Sequence, residues 1–309
     1  MSPGHSLTPF GDSLSKAVQK RDKLFETSVE KCGESYSQNL SLIHLLKSKF
    51  AVKKSALIFG AGSLDTSLNV NQLSEKFIFS GVQWTDFHDG INMDILLSTH
   101  VSPLQASFNR NLTKKPPIII HGIYSKSPPV LNNSITFRWS DPLLDPNWIK
   151  NPTISALEKI IQKKAFGPAP YMPAVRNVIF LNAMIMIWLG AKQIVFAGID
   201  PCNPIYYFHG NKEKSLEIIK AVSLIDPYIS IWDGRNERIA MMNRDTDHRI
   251  QEIISDLSQQ KSAVGDKKRL DVMIRGLTIL KKYSEFKGVK IGYIGESKFL
   301  KDSGIARLD

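Results

Sequence analysis

Two glycine-punctuated strand exits, and the polar residues that follow the second, carry the side chains in this chain that could do chemistry together. The apolar run Ser55-Ala-Leu-Ile-Phe59 passes straight into Gly60-Ala61-Gly62-Ser63. Glycines at such an exit let backbone amides approach a phosphate or nucleobase with no Cβ in the way. A second run, Gln193-Ile-Val-Phe-Ala197, passes into Gly198-Ile199-Asp200-Pro201, and the loop beyond holds Cys202, Tyr206, Tyr207 and His209. Open parallel sheets collect ligands where strands deliver their carboxyl ends, so Asp200 and this loop stand at the expected site. A third group is Thr246-Asp247-His248, with Asp245 or Thr246 capping a helix whose first turn then carries Asp247 and His248. Each group also has a plainer reading: a tight strand-to-helix turn, an Asp200 that caps the next turn, and tyrosines that pack in the core.

Some chemistries are disfavoured at once. Residue 65 is Asp where the dinucleotide fingerprint Gly-x-Gly-x-x-Gly requires its third glycine, which argues against bound NAD. Cys32 and Cys202 are far apart and form no CxxC pair, so neither a structural zinc site nor a disulfide framework is expected. No resident metal or cofactor is predicted.

The elements that must position these residues follow from hydrophobic patterning. Asn177 to Leu189 is mostly apolar, too long for a strand and too short to span a bilayer, and predicts a buried helix stopped by a left-handed Gly190. The run from Gln193 to Gly198 predicts a strand buried on both faces. Similar short apolar runs, each ending in small or polar residues, occur at Lys76–Phe79, Asp94–Leu97 and Pro116–His121. Together they predict an α/β fold with a doubly wound, mostly parallel Rossmann-like sheet whose site lies along one rim. His100 and His121 would sit on that rim, although a strand-end histidine is more often a structural hydrogen-bonder than a base.

Ahead of the first strand, Asp12 or Ser13 can cap a helix stopped by Cys32-Gly33. A second helix, Gln38 to Phe50, ends in Lys47, Lys49, Lys53 and Lys54. That basic flank could touch an anionic membrane, or simply complement its own helix dipole. Residues 127–152, rich in proline and asparagine, read as a long connection, and Gly167 to Pro173 as a lead into Arg176. Helices are predicted at Ile154–Lys164 and Lys212–Ile225, and a strand at Tyr228–Trp232. The tract beyond residue 259 is basic and reads as a helical region that suits an acidic membrane or acceptor, or simply as a solvated face. The resulting division is 1–54 for an N-terminal arm and helices, 55–258 for the nucleotide-binding domain, and 259–309 for the C-terminal region.

With 309 residues, 42% of them hydrophobic, the chain is globular, and its formal net charge of +11 favours anionic partners. Sugar nucleotides, anionic lipid or glycolipid surfaces and nucleic acid all qualify, but nucleic acid has no recognition motif here and rests on charge alone. The N-terminus lacks a secretory pattern and no stretch reaches transmembrane length, so a cytoplasmic protein, peripheral at most on the inner face of the membrane, is expected. Homo-oligomerisation is left open.

The order of these motifs resembles the bacterial sialyltransferases of glycosyltransferase family 42 and their relatives, the motility-associated flagellin glycosyltransferases and the hydroxymethylpterin pyrophosphokinase-like proteins. The resemblance runs over roughly residues 55 to 257 and is carried by Gly60-Ala-Gly-Ser-Leu64, by Arg176 and the buried helix, and by Leu189-Gly-Ala-Lys-Gln-Ile194 leading to Phe196-Ala-Gly-Ile-Asp200 with Tyr206 and Tyr207 after it. It implies that Gly60, Ala61, Gly62 and Ser63 hold a cytidine nucleotide, with Arg176, Asn177 and Asp200 as further nucleotide-sugar contacts. It also implies that Tyr206 or Tyr207 hydrogen-bonds the departing phosphate without a metal. The family's general base is a histidine shortly before a Thr-Asp pair; here Thr246-Asp247 is present but that position falls at about Met242, leaving His248 and His209 as candidates. The expected activity is inverting transfer of a sugar from a CMP-activated donor to a glycan or glycolipid acceptor. Two alternatives remain: an ATP- and magnesium-dependent pyrophosphokinase-like transferase using Asp200 and Asp86, and a binding protein that has lost catalysis.

Overall fold

A computed structural model describes residues 33–60, 62, 64, 68–82, 85, 88, 90–98, 117–122, 134–140, 153–162, 171–173, 177–201 and 267–308. In chain order the described elements are α1 (Gly33–Lys53), β1 (Ser55–Phe59), α2 (Val70–Lys76), β2 (Ile78–Val82), β3 (Ile95–Ser98), β4 (Ile118–Gly122), β5 (Ser134–Ser140), α3 (Ile154–Gln162), β6 (Tyr171–Pro173), α4 (Val178–Leu189), β7 (Gln193–Ala197), α5 (Lys267–Phe286), β8 (Lys290–Tyr293), α6 (Lys298–Asp302) and β9 (Ala306–Arg307). The predicted helices at 212–225 and after 245, the strand at 228–232 and the first N-terminal helix lie outside the described residues.

The strands form one nine-stranded sheet in the order β6-β5-β4-β3-β2-β1-β7-β8-β9. Every described pairing is parallel. Side chains alternate across this sheet, and both sides are covered. Ala56, Ile58, Ile194 and Phe196 join the larger core with α1, α3, α4, α5 and α6, whereas Leu57, Phe59, Val195 and Ala197 face Val70 and Leu73 of α2. Burial on two faces is why β1 and β7 read as unbroken apolar runs.

α4 is the central helix of the larger core. It lies on β1, β2 and β3, and α1 and α5 pack against it. Nine of its 12 residues are buried, which is why its sequence lacks a polar face. Its boundaries follow the sequence reading. Asn177 Oδ1 accepts from the amides of Ile179 (2.9 Å) and Phe180 (3.4 Å), and Gly190 closes the helix at φ 111°. Within this layer Ser80 Oγ donates to Asn182 Oδ1 at 2.9 Å.

Four expectations need correction. α1 runs from Gly33 to Lys53, longer at both ends than the predicted Gln38 to Phe50. The supposed connection 127–152 contains β5, whose Ile135-Thr-Phe137-Arg-Trp139 alternates large apolar with polar residues, and the lead into Arg176 contains edge strand β6 ending at Pro173. The tract after 259 is not only helical: β8 pairs with β7 and β9 with β8, so it extends the sheet of the central domain. Finally, the lysines of α1 are engaged within the chain. Lys47 Nζ lies 4.5 Å from the Trp188 ring centroid, Lys49 pairs with Asp94 at 3.1 Å, and Lys53 donates to the carbonyls of Ser74 (2.6 Å) and Phe77 (3.2 Å) at the end of α2.

The C-terminal tract is also tied to α3. Tyr283 Oη donates to Glu158 Oε1 at 2.6 Å, and Lys287 Nζ approaches the same oxygen at 3.0 Å. Partial burial works against ionisation of Glu158, but the hydrogen bonds from Tyr283 and Lys287, and the charge of Lys287, outweigh it and hold the carboxyl below its ordinary 4.5. A depressed folded-state value stabilises the fold above pH 4.5, and that contribution is lost as pH falls through it. In urea titrations, Glu158→Gln is therefore expected to flatten the loss of stability below pH 4.5 relative to the unsubstituted chain. Tyr283→Phe should cost about 1.5–3 kcal/mol at neutral pH, the range for a hydrogen bond to a charged group.

Candidate functional site

The strand order reverses between β1 and β7. From β1 the chain builds outward through β2 to β6, then returns through α4 and places β7 on the other side of β1. The helix following β1, α2, lies on one face, and α5, the next described helix after β7, on the other. Connections that diverge to opposite faces open a crevice at the carboxyl ends of the two strands, where ligands bind in sheets of this kind. Gly60, Gly62, Gly198 and Asp200 all lie at that reversal.

The glycines interlock. Gly60 N–H donates to Ala197 O and Gly62 N–H to Gly198 O, each at 2.8 Å, so the two chains stay backbone to backbone beyond the last strand residues. A Cβ on Gly60 would stand 2.4 Å from Gly198 O, and one on Gly62 would stand 2.7 Å from the same oxygen. Gly198 adopts φ 62°, and a Cβ there would meet Gly62 O at 2.9 Å and Gly60 O at 3.0 Å. Carbonyls in an extended strand point alternately to its two neighbours. The left-handed turn at Gly198 lets two successive carbonyls, 197 and 198, face the β1 exit. The sequence suggested that these glycines admit a phosphate; their geometry shows them admitting each other, with the amides of residues 60 and 62 committed to β7.

The opposite side of the β7 exit is held by the C-terminal tract. Ile294 N–H donates to Phe196 O at 2.9 Å, and Ser297 Oγ donates to Ile199 O at 2.5 Å. Ser297 is buried and caps α6, its oxygen accepting from Leu300 N–H at 3.1 Å. Sequence reading missed it, although a serine just before Lys-Phe-Leu is a capping signal. Asp200, the next residue in the chain after the held carbonyl, is half-buried.

α4 runs antiparallel to β7, which follows it directly, so its N-terminus reaches the same carboxyl rim. Asn177 there is 5% exposed, and its Nδ2 has no partner among the described residues. Thr85, past the end of β2, is likewise buried with its hydroxyl unpartnered among them. The structure thus brings Gly60, Gly62, Asp200 and Asn177 to one rim. His121 occupies the next-to-last position of β4, opposite Ser98 of β3. Ala61, Ser63, Asp86, His100, Arg176, Tyr206, Tyr207, His209, Met242, Asp247 and His248 lie outside the described residues. Among the described residues no group of His, Cys, Asp or Glu could hold a metal ion, and no helix is long and apolar enough to cross a membrane.

No protein-family model matches the chain, and no curated protein matches it. Among solved structures it is similar to the monofunctional alpha-2,3-sialyltransferase Cst-I from Campylobacter jejuni, at 15% identity and a TM-score of 0.37 over 78% of this chain and 75% of that one.

The interlock separates two kinds of glycine. At Gly190 a Cβ would have Phe50 Cβ as a neighbour at 3.9 Å, an ordinary contact, so Gly190→Ala costs only backbone strain, about 1–2 kcal/mol. Gly198→Ala adds a collision with two carbonyls that the sheet holds in place and should cost about 3 kcal/mol or more. Urea denaturation of the two variants measures the difference; equal losses would mean that β1 and β7 do not interlock.

Proposed function

We propose that this chain is a glycosyltransferase that takes a CMP-activated sugar, a nonulosonate, in the crevice between β1 and β7 and transfers it with inversion to a surface glycan or glycolipid, without a metal. The single observation that carries the reading is the convergence at the strand-order reversal of the glycine turn after β1, the Gly-Ile-Asp turn after β7 and the N-terminus of α4. In this reading the α4 N-terminus and Asn177 face the anionic part of the donor. Arg176, Ala61 and Ser63 contribute beside them, and Asp200 addresses the nucleoside or sugar hydroxyls.

Tyr206 or Tyr207 donates to the departing phosphate, because phenol donors can stabilise a leaving dianion in place of a cation. His248 or His209 removes the proton of the acceptor hydroxyl, since imidazole titrates near neutral pH. The net positive charge suits both the nucleotide and an acceptor at the anionic inner face of a membrane.

A ligand that binds the folded state raises its stability, by about 2.7 kcal/mol at a hundredfold excess over Kd. Thermal unfolding against CMP, CDP, UDP, GDP and ATP, each with and without magnesium, is expected to show a shift with CMP that EDTA leaves unchanged. A magnesium-dependent shift with ATP would instead support the pyrophosphokinase-like alternative, and no shift with any nucleotide would support a non-catalytic protein. With a CMP-activated donor, replacing the true base, His248→Ala or His209→Ala, should lower turnover about 10²–10⁴-fold while CMP still shifts the melting temperature.

A further inference from the structure

We infer that Ser297 is a positioning residue of the crevice between β1 and β7, and that the C-terminal β8-α6 unit completes this site rather than merely flanking it. The inference rests on the nucleotide-site reading above. Four successive carbonyls at the β7 exit are each held by a named donor: Phe196 by Ile294 N–H, Ala197 by Gly60 N–H, Gly198 by Gly62 N–H and Ile199 by Ser297 Oγ. The first three donors are backbone groups that any sequence able to form the turns would supply. The fourth is a side chain, the last hold before Asp200.

Ser297 can act this way because its own position is fixed twice. Its oxygen accepts from Leu300 N–H, and the short helix that it caps is anchored by Phe299 and Leu300, both buried in the larger core. Among the described residues the acceptor for the hydroxyl proton is Ile199 O. Removing the hydroxyl leaves a buried carbonyl without its donor and frees the peptide that sets the direction of Asp200. Folding of the last dozen residues and the geometry of the ligand crevice are thereby coupled.

The test uses the full chain with Ser297→Ala and Ser297→Thr, read by hydrogen exchange of the segment 193–201 and by CMP titration well below the melting temperature. Ser297→Ala is expected to speed exchange at the Asp200 amide and to weaken CMP binding about tenfold. Ser297→Thr, which keeps both the cap and the donor, should restore both values. Should the alanine variant fail to fold, Ser297→Cys keeps the volume and gives up most of the hydrogen bond, and is read the same way. Unchanged exchange and unchanged affinity in the alanine variant would overturn the inference, as would a loss of global stability with no local change at residues 199–200. If the unsubstituted chain binds no CMP, the functional reading fails and the inferred role in the site fails with it, while the exchange data still report whether Ser297 holds the β7 exit.

Discussion

The close approach of β1 and β7 beyond their last sheet residues is the constraint on which the rest depends. Two parallel strands ordinarily separate where their connections leave for opposite faces, and the crevice between them is then as wide as the loops allow. Here Gly60, Gly62 and Gly198 keep the two backbones in hydrogen-bond contact for two residues more, with no room for a Cβ on any of them. The floor of the crevice is therefore backbone and rigid. The amides of Gly60 and Gly62 are spent on β7, and at the α4 N-terminus those of Ile179 and Phe180 are spent on Asn177 Oδ1.

That constraint propagates into the layers. For β7 to reach β1 in register, from Ser55 opposite Gln193 to Phe59 opposite Ala197, α4 must return across the sheet and end at the right height. Gly190 ends it, and Lys54 O then accepts from the amides of both Lys192 and Gln193. α4 can cross there only because it is apolar on every side, lying on three strands while α1 and α5 pack against it. A polar face on this helix would bury unpaired groups, and Asn182 is the tolerated exception, meeting Ser80 across the sheet interface.

What could be read from the sequence was what depends on neighbours along the chain. β1 and β7 were legible because burial on both faces writes itself as an unbroken apolar run, and α4 because its apolar run is too long for a strand and ends at a glycine stop. β5 was hidden by the proline- and asparagine-rich residues around it, and β8 by the lysines that surround a four-residue strand. The role of Gly60 and Gly62 was half legible: their backbone freedom was evident. Their partner was not, because it lies far along the chain and only the fold brings it near. Ser297 was illegible for the same reason, since a capping serine shows its helix in the sequence but not the carbonyl its proton reaches.

The two ends of the sheet differ in how they use polar groups. At the amino end they are spent within the fold: Lys53 on the carbonyls closing α2, Lys49 on Asp94, and Lys54 O on the two amides entering β7. At the carboxyl end the backbone is equally well paired through residue 199, yet Asn177 Nδ2 and Thr85 Oγ1 are buried there without partners among the described residues. Burying an amide or hydroxyl that way costs free energy unless something supplies the missing bond. Asn182 Nδ2, inside the fold, is likewise buried without a partner among the described residues, and Thr85 Oγ1 lies against Gly81, so polar groups of this kind are not confined to the carboxyl rim.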